Sequence, residues 1–475
     1  MKTRIAIAAL LAATALQFPA FPESASAPGA ADVEFARNTL EEILRIRTVK
    51  GFEQTESMAN LLAAKFKAAG FEDSDIDIPT IEIDGETVAG IVVRYPGKAG
   101  SQKKPIALIA HMDVVDATSG WQTDPFVPVE KDGYLYARGS VDNKAGVALL
   151  TSTFIRLKEQ GFEPDRDLII AFSGDEETGM KSTRMLTAHP WVKGAEYALN
   201  ADAGVGSVDA AGGNPSYSIQ SAEKTFATFH ITATNRGGHS ASPRPDNALF
   251  DIADAIQAIR ALRFPVGFNE ISRQMAADLA ASEGGEFAAA INTLLETPDD
   301  KAARDTVLAS SVETHFLYTT CAPTMMSAGT AENALPQSAQ LTVNCRILPG
   351  TSVASVQQTL ADAINNPDIQ IELQGSPLES PVSPINEPLF VSLLNALHAI
   401  HPGAPLKPSM SSGGTEGREY RSAGIPTYGA GALTLVRPDD FRAHGIDERV
   451  PLKSYDDQLV YWDVLLKDLA GGGMK

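Results

Sequence analysis

Three short apolar runs separated by helical sequence constrain the fold of this chain more than any other feature. They are residues 104–110 (KPIALIA), 167–173 (DLIIAFS) and 195–201 (AEYALNA), and each is continuously apolar, as strands buried on both faces are. Residues 144–161, between the first two runs, have a helical pattern that ends at a glycine. A strand, a crossover helix and a further strand predict an α/β fold with a doubly wound, mainly parallel sheet.

The pattern changes after about residue 222. Residues 222–375 read as strand, helix, two strands, helix and strand, the order of a small ferredoxin-like α+β domain. Residues 269–314 within this stretch are polar, rich in Ala and helical in pattern, which predicts an additional helical segment. The sequence therefore predicts an α/β domain made of residues 33–221 and 376–475, with a second domain of residues 222–375 inserted into it.

Residues 1–27 have the features of a signal peptide. Lys2 and Arg4 precede an apolar stretch over residues 5–16, and Ala-Ser-Ala at residues 25–27 fits a small-residue cleavage site. A membrane anchor is the alternative, but it would need about 20 apolar residues. We therefore expect export to the periplasm or secretion, with no membrane association once the signal is removed.

Charge and cysteine content exclude several further classes of protein. The formal net charge of −20 at pH 7 argues against nucleic acid and anionic membranes as partners. The two cysteines, Cys321 and Cys345, are too few for a disulfide scaffold and do not have the spacing of a zinc knuckle. In an exported protein they could pair, and two separate buried thiols are the alternative.

Acidic and histidine side chains follow the predicted strands at the ends where ligands gather in an open α/β sheet. They are His111 and Asp113 after the first strand, Asp142 before the crossover helix, Glu176 and Glu177 after the second strand, and Asp202 after the third. Each acid alone would be explained as a turn former or helix cap. Together they concentrate negative charge that a pair of divalent metal ions would neutralise, and imidazole with carboxylate oxygen suits zinc, manganese or cobalt.

Residues 175–177 (DEE) place three acids in a row directly after a buried strand, where adjacent carboxylates repel each other. If Glu177 binds a metal, Glu176 beside it can remain a free carboxylate that acts as a general base. Two neighbouring metal ions lower the pKa of a bridging water and polarise a carbonyl. This combination predicts hydrolysis of an amide.

Five ordered motifs resemble those of the acetylornithine deacetylase, succinyl-diaminopimelate desuccinylase, aminoacylase and glutamate carboxypeptidase family of di-zinc hydrolases. They are HMDVV (111–115), GSVDNKAG (139–146), GDEETG (174–179), NAD (200–202) and AHGIDERVP (443–451). The resemblance implies that two metal ions, most simply zinc, are held by His111, Asp142, Glu177, Asp202 and His444. It also implies that Asp142 bridges the metals through a cis peptide bond to Asn143, that Asp113 orients His111, and that Glu176 is the general base.

The resemblance extends to the inserted domain, which would be a lid and dimerisation domain. RGGHSASP (236–243) resembles the lid motif in which the equivalent of His239 reaches the active site of a partner subunit and stabilises the oxyanion. Asn333 and Arg346 resemble substrate-binding residues of the lid, and Arg suits a free carboxylate. Gly414 and Arg418 match the family's Gly-Gly-Thr loop, although Glu416-Gly417 departs from the commoner sequences there. A homodimer is therefore expected.

These residues predict an exported metal-dependent exopeptidase, carboxypeptidase-like, that cleaves an amide next to a free carboxylate of a peptide or N-acyl amino acid substrate. Arg346 would hold that carboxylate. An aminoacylase or a dipeptidase of the same family is the alternative. An inactive binding protein on the same fold is a remote alternative, because every expected ligand and the base are present in the sequence.

Overall fold

The computed structural model describes residues 28–471, so the predicted signal peptide lies outside the described residues. The first part of the chain alternates short strands with helices. Its helices are α1 (Ala30–Leu44), α2 (Thr55–Ala68), α3 (Lys144–Glu159) and α4 (Lys181–Thr187). Its strands are β1 (Ile76–Asp77), β2 (Thr80–Ile83), β3 (Glu86–Ala89), β4 (Ile91–Tyr95), β5 (Ile106–His111), β6 (Val129–Lys131), β7 (Tyr134–Tyr136), β8 (Leu168–Ser173), β9 (Tyr197–Asn200), β10 (Gly206–Val208) and β11 (Tyr217–Glu223).

The middle of the chain forms a separate sheet and its helices, and the end of the chain returns to the first sheet. The middle elements are β12 (Thr225–Thr234), β13 (Gly238–His239), α5 (Ala248–Ala261), α6 (Glu270–Glu283), α7 (Gly285–Glu296), α8 (Lys301–Ala309), β14 (Thr320–Ala328), β15 (Ala334–Leu335), β16 (Ser338–Ile347), α9 (Val353–Ile364) and β17 (Ile369–Gln374). The final elements are α10 (Glu387–Ile400), β18 (Leu406–Ser411), α11 (Gly417–Ser422), β19 (Thr427–Gly429), β20 (Thr434–Val436), β21 (Arg449–Pro451) and α12 (Leu452–Ala470).

The larger sheet has eight strands in the order β1-β4-β8-β5-β9-β19-β11-β18. The central strands β8, β5, β9 and β19 run parallel, whereas β4 and β11 join their neighbours β8 and β19 in antiparallel pairs. Every residue of β5, β8 and β9 is buried, because helices cover both faces of the sheet. The prediction of a mainly parallel α/β sheet is confirmed.

Helix α3 is the crossover helix expected between β5 and β8. All of its residues from Lys144 to Leu157 are buried, since it packs between the sheet and the two helices α1 and α12. Its N-terminus therefore lies at the same edge of the sheet as the carboxyl ends of β5 and β8. In the parallel register, His111 at the end of β5 lies opposite Ser173 at the end of β8.

The smaller sheet has four antiparallel strands in the order β14-β16-β12-β17. Burial alternates along β12 and β16 with a period of two, so one face of this sheet packs against α5 and α9. The elements follow the predicted β-α-β-β-α-β order. Helices α6, α7 and α8 form the additional helical segment and enclose a small core of their own around Ile291 and Leu294.

A disulfide joins Cys321 on β14 to Cys345 on β16. The two residues lie directly opposite each other in the antiparallel pair, with their Cα atoms 4.0 Å apart. Of the two alternatives that the sequence left open, the structure therefore has the paired cysteines. Among residues 28–471, none of the helices combines the length and the apolar character that crossing a membrane requires.

Candidate metal centre and active site

The five predicted metal ligands gather at one edge of the larger sheet. His111 is the last residue of β5, and Glu177 and Asp202 follow β8 and β9. Asp142 lies in the turn before α3, and His444 lies in the loop before β21. The parallel register brings these strand ends together, and His444 reaches them from a segment more than 200 residues further along the chain than Asp202.

The ligands form two donor sets that share Asp142. In the first set, Nε2 of His111 lies 3.0 Å from Oδ1 of Asp142 and 3.6 Å from Oδ1 of Asp202. In the second set, Nε2 of His444 lies 3.2 Å from Oδ2 of Asp142 and 3.0 Å from Oε1 of Glu177. The two oxygens of Asp142 therefore face different imidazoles, which is the arrangement a carboxylate needs to bridge two cations.

The chemistry of these donors fits a pair of divalent metal ions. Each set offers one imidazole nitrogen and carboxylate oxygens, with one donor atom per residue within 4.8 Å of the others. Nitrogen and oxygen donors in this combination suit zinc, and manganese or cobalt are compatible with them. His111, Asp142 and Asp202 would hold one ion, and Asp142, Glu177 and His444 the other.

Asp113 orients both a ligand and the acidic loop. Nδ1 of His111 lies 3.0 Å from the backbone carbonyl oxygen of Asp113, so a proton on Nδ1 is donated there and Nε2 is left to face the site. The carboxylate of Asp113 accepts hydrogen bonds of 3.0 Å from the backbone N–H groups of Glu176 and Glu177. A single side chain thus fixes the loop that carries the predicted base and a predicted ligand.

The carboxylates favour the charged form of both imidazoles. Burial disfavours a charged His111, but hydrogen bonds to Asp113, Asp142 and Asp202 outweigh it and raise the pKa of His111 well above its ordinary value. Hydrogen bonds to Asp142 and Glu177 raise the pKa of His444 to about 10. The cluster therefore attracts positive charge strongly, and divalent cations would take the place of these protons.

Glu176 lies within the same cluster, close to His111 and Glu177. Burial raises the pKa of Glu176 well above its ordinary value, and the charges of Asp202, Asp113 and Glu177 add to this effect, while His111 opposes it. A carboxyl group whose pKa is raised is a stronger base than an exposed one, and bases of this kind take up protons near neutral pH. Its position and its proton affinity both suit a general base.

Asp175, the first of the three consecutive acids, shapes the loop. It is 2% exposed, and its carboxylate accepts hydrogen bonds from the backbone N–H groups of Lys181 and Ser182 at 2.8 Å. It therefore binds the free N–H groups at the start of α4. Of the three acids, only Glu176 and Glu177 belong to the donor groups of the metal cluster.

Glu448 and Asn143 hold the loop that carries Asp142, and the sequence reasoning did not single out Glu448. Glu448 is fully buried and accepts hydrogen bonds from the backbone N–H groups of Val141 at 2.8 Å and Asp142 at 3.1 Å. Its other oxygen lies 2.6 Å from Nη1 of Arg138. Nδ2 of Asn143 donates to Oδ1 of Asp202 at 2.7 Å, next to the cis peptide bond between Asp142 and Asn143. The position of Glu448 within the AHGIDERVP motif was the available signal.

Three of the predicted substrate-binding residues lie around one loop. Nη1 of Arg346 donates to the carbonyl oxygen of Ser412 at 3.1 Å, and its guanidinium lies over the ring of Phe226. Nη1 of Arg418 lies 3.7 Å from where a side chain on Gly414 would begin. The buried Nε of Arg418 has no hydrogen-bond acceptor within residues 28–471 and lies 3.7 Å from Oε1 of Glu419. Two guanidinium groups thus lie beside the same glycine loop.

His239 and Asn333 form a second group, on the pair of strands β13 and β15. His239 is exposed, and its Nδ1 accepts a hydrogen bond from the backbone N–H of Ala241 at 3.0 Å. The carbonyl oxygen of Asn333 accepts from the N–H of Ser240 at 3.0 Å. Within the described chain, no hydrogen bond or ion pair joins His239 or Asn333 to the metal cluster. The structure therefore does not bring these two predicted residues together with the predicted metal ligands.

Glu416 has a different environment from the one its position in the substrate loop indicated. It is fully buried, and its Oε1 accepts a hydrogen bond from Oγ1 of Thr183 at 3.1 Å. Burial is the largest influence and raises the pKa of Glu416 to about 8. The departure from the family sequence at Glu416-Gly417 therefore changes the interior behind the metal centre rather than a surface that contacts substrate.

Comparisons with known proteins show the family to which the chain belongs. A family model described as Peptidase family M20/M25/M40 matches residues 107–468. The mouse (Mus musculus) protein named N-fatty-acyl-amino acid synthase/hydrolase PM20D1 is 27% identical over 369 residues, which cover 75% of this chain and 73% of the mouse protein. The Dictyostelium discoideum protein named "Probable carboxypeptidase S-like 2" is 26% identical over 383 residues, covering 77% of this chain and 72% of that protein.

Solved structures show the same fold at low sequence identity. Human carnosine dipeptidase 1 has a TM-score of 0.64 at 14% identity, with 92% of this chain and 96% of that chain covered. The M20 family metallo-carboxypeptidase Sso-CP2 from Sulfolobus solfataricus has a TM-score of 0.63 at 18% identity, with 91% and 98% covered.

Proposed function

We propose, from the fact that this chain belongs to peptidase family M20/M25/M40, that it hydrolyses an amide bond next to a free carboxylate with the help of two divalent metal ions. The observation that carries the proposal is the pair of donor sets joined at Asp142, with Glu176 beside them. An inactive binding protein would not need a base of raised pKa inside a complete set of metal ligands.

The residues present divide the chemistry between them. Two zinc ions, with manganese or cobalt as alternatives, would supply a water of lowered pKa and polarise the carbonyl of the substrate. Glu176 accepts the proton of the attacking water and passes it to the leaving nitrogen, while Asp113 keeps His111 and the loop of Glu176 in position.

Arg346, Arg418 and Gly414 support a substrate that carries a free carboxylate. Guanidinium groups bind carboxylates with two parallel hydrogen bonds, and the two arginines lie beside the same glycine loop. The carboxypeptidase names among the relatives favour peptides as substrates, and the mouse relative favours N-acyl amino acids. Both substrate classes place an amide next to a free carboxylate, and a dipeptidase is the third possibility within the family.

The inserted segment, residues 222–375, is proposed to be a lid and dimerisation domain. His239 and Asn333 would complete the active site of a partner subunit, which agrees with the exposed position of His239. The exposed apolar side chains of Leu249 and Phe250 on α5 and of Met325 and Met326 on β14 would offer contacts to a second copy.

Export to the periplasm or secretion is proposed from two features. The N-terminal 27 residues have the pattern of a signal peptide, and the disulfide between Cys321 and Cys345 is typical of proteins that fold in an oxidising compartment.

Replacing Glu176 by Gln tests the proposed chemistry. The variant should retain about two metal ions per chain by elemental analysis, while kcat falls by about 10²–10⁴-fold, because the base is lost and the ligands remain. Glu283→Gln, an exposed residue at the end of α6, is the matched control and should keep full activity. Substantial turnover by the Glu176→Gln variant would contradict the assigned base, and a wild-type protein that binds no metal from added zinc would contradict the whole site.

A substrate panel separates the candidate activities. N-blocked peptides, N-acyl amino acids and dipeptides should be compared with amides that lack the free carboxylate, which we expect to be poor substrates. Turnover confined to peptides with a free amino terminus would contradict the carboxypeptidase-like activity.

A further inference from the structure

The inserted segment contains a groove whose lining includes none of the predicted site residues. It has a volume of about 570 Å³ and lies between the C-terminal end of α5, helix α8 and the first residues of β14. Its apolar lining consists of Ile256, Ile259, Leu262, Phe264, Leu308 and Pro323. Pockets of this volume and character accommodate small organic ligands in proteins.

Three arginines, Arg260, Arg263 and Arg304, also line the groove. Among the described residues that line it, none is Asp or Glu. Nη1 of Arg263 donates to the carbonyl oxygens of Arg260 and Leu262 at 2.9 Å, and Nη2 of Arg304 pairs with the adjacent Asp305 at 3.2 Å. Among residues 28–471, neither Arg260 nor Arg263 forms an ion pair with an acid. Three positive charges with one acidic neighbour leave a net positive charge at the groove, which favours an anion.

The charge of the groove contrasts with that of the whole protein. The chain has 59 acidic and 39 basic residues, so its surface as a whole repels anions. In so acidic a protein, three guanidinium groups beside one apolar floor are more than the composition alone would lead us to expect. Guanidinium groups bind carboxylates tightly and with defined geometry.

We infer that this groove binds the anion of a long-chain fatty acid, with the hydrocarbon chain along the apolar floor and the carboxylate among Arg260, Arg263 and Arg304. An extended peptide would be the other anionic occupant with apolar parts. It would bind by adding a strand to β14, but Pro323 has no N–H to donate, and the strand register shifts between Pro323 and Met325. A single-chain amphiphile needs no such backbone pairing.

The walls of the groove are fixed before any ligand binds. Cys321 lies in the lining, and its disulfide to Cys345 ties the start of β14 to the next strand. An isolated bridge between Val266 and Tyr318 ties the segment after α5 to the segment before β14. Preformed sites lose less entropy on binding than mobile ones. The apolar residues proposed for dimer contacts lie outside this lining, since Leu249 and Phe250 are at the start of α5, and Met325 and Met326 follow Pro323 on β14.

Calorimetric titration of the full-length protein with decanoate tests the inference, and it does not depend on the proposed hydrolase activity because no turnover is measured. Decanoate should bind saturably with one site per chain. Butanoate, which has the charge but a short chain, and decane-1,2-diol, which has the chain but no charge, should each bind at least about tenfold more weakly. Comparable binding of butanoate would reduce the groove to a nonspecific anion site and overturn the inference.

Two charge reversals locate the ligand. Arg260→Glu and Arg304→Glu should each weaken decanoate binding by at least about tenfold. Lys301→Glu is the matched control, because it makes the same charge change at an exposed position on the same helix as Arg304 but outside the lining; it should change binding less than about twofold. If a reversal unfolds the protein, as judged by circular dichroism, Arg260→Gln replaces it.

Equal effects of the reversals and of Lys301→Glu, or no binding of decanoate at all, would overturn the inference. A further result would also overturn it: the wild type does not bind decanoate, and Arg260→Glu no longer sediments as a dimer. The groove would then be an interface between two copies.

Discussion

The metal centre and the smaller sheet of the inserted segment hold their functional side chains in contrasting ways. At the metal centre, each predicted ligand is buried or half-buried except His444, and Asp113, Glu448 and Asn143 fix the loops around it with hydrogen bonds. In the inserted segment, His239 is exposed, and its ring accepts a hydrogen bond only from the nearby backbone N–H of Ala241 among residues 28–471. The metal centre is held in place by residues of a single chain, whereas the residues proposed to serve a partner subunit are exposed at the surface.

The largest expected effect tests whether His239 serves a partner. His239→Ala should lower kcat by about 10²–10³-fold, the usual cost of removing one oxyanion donor, whereas the exposed His315→Ala should not. Mixing the inactive His239→Ala and Glu176→Gln proteins should restore activity, because a mixed dimer has one site with an intact base and the partner's intact His239. An activity no greater than the mean of the two parents would place His239 in its own subunit's site or outside catalysis.

Removing the disulfide should separate the stability of the two regions. Cys321 and Cys345 are 24 residues apart, so replacing both by Ser should lower the free energy of unfolding of the inserted segment by about 3 kcal/mol. Metal content should stay unchanged, because the cluster lies on the larger sheet. Hydrogen exchange of the inserted segment in increasing urea measures the first quantity, because all three tryptophans lie outside residues 222–375 and would not report on it. Elemental analysis measures the second. Loss of metal without loss of stability would show that the regions are coupled.

Arg346→Lys should affect binding more than chemistry. Lys cannot make the two parallel hydrogen bonds of a guanidinium group, so KM for carboxylate-bearing substrates should rise by about tenfold while kcat changes little. Arg45→Lys, at an exposed position at the end of α1, is the control and should leave both constants unchanged. A fall in kcat with constant KM would instead assign Arg346 to the transition state.

The smallest expected effect concerns Glu416, behind the metal centre. Burial raises its pKa from 4.5 to about 8, so between these values the folded protein keeps a proton that the unfolded chain has lost. The stability that this group contributes therefore falls as the pH rises from about 4.5 to about 8. Glu416→Gln should be more stable relative to wild type at pH 8.5 than at pH 5, as measured by thermal unfolding of the zinc-free protein.

The zinc-free protein is used because bound cations would lower the pKa of a nearby carboxyl group. Glu283→Gln, which is exposed, should show no such dependence on pH. A constant difference in stability between wild type and Glu416→Gln across this range would mean that Glu416 titrates normally.

The sequence predicted the parts of the site that follow from strand ends. His111, Glu177 and Asp202 come directly after apolar strands, and the parallel register then places them at one edge. His444 follows no such rule, and only the resemblance to a family identified it. The mainly parallel sheet and the order of the elements in the inserted segment were predictable for the same reason, since their apolar periodicities are strong.

Buried acids were not predictable, because their partners are distant in sequence. Glu448 binds backbone N–H groups more than 300 residues away, and Glu223 accepts hydrogen bonds from Thr415 and pairs with Arg421. The motif AHGIDERVP marks the position of Glu448, but the local sequence does not identify the distant partners of either acid. The division into domains at residues 222 and 376, and the roles of His239, Asn333, Arg346 and Arg418, stay predictions until the experiments above are done.

The hydrogen bonds between Glu448 and the loop of Asp142 have a consequence for how the site is lost on unfolding. Glu448 lies more than 300 residues along the chain from Val141 and Asp142, whose backbone N–H groups donate these hydrogen bonds to it. Contacts between segments so distant in sequence exist only while the tertiary structure is intact. The loop of Asp142 is therefore expected to lose its shape together with the packing of residues 443–451 against it, in one cooperative transition rather than by local fraying.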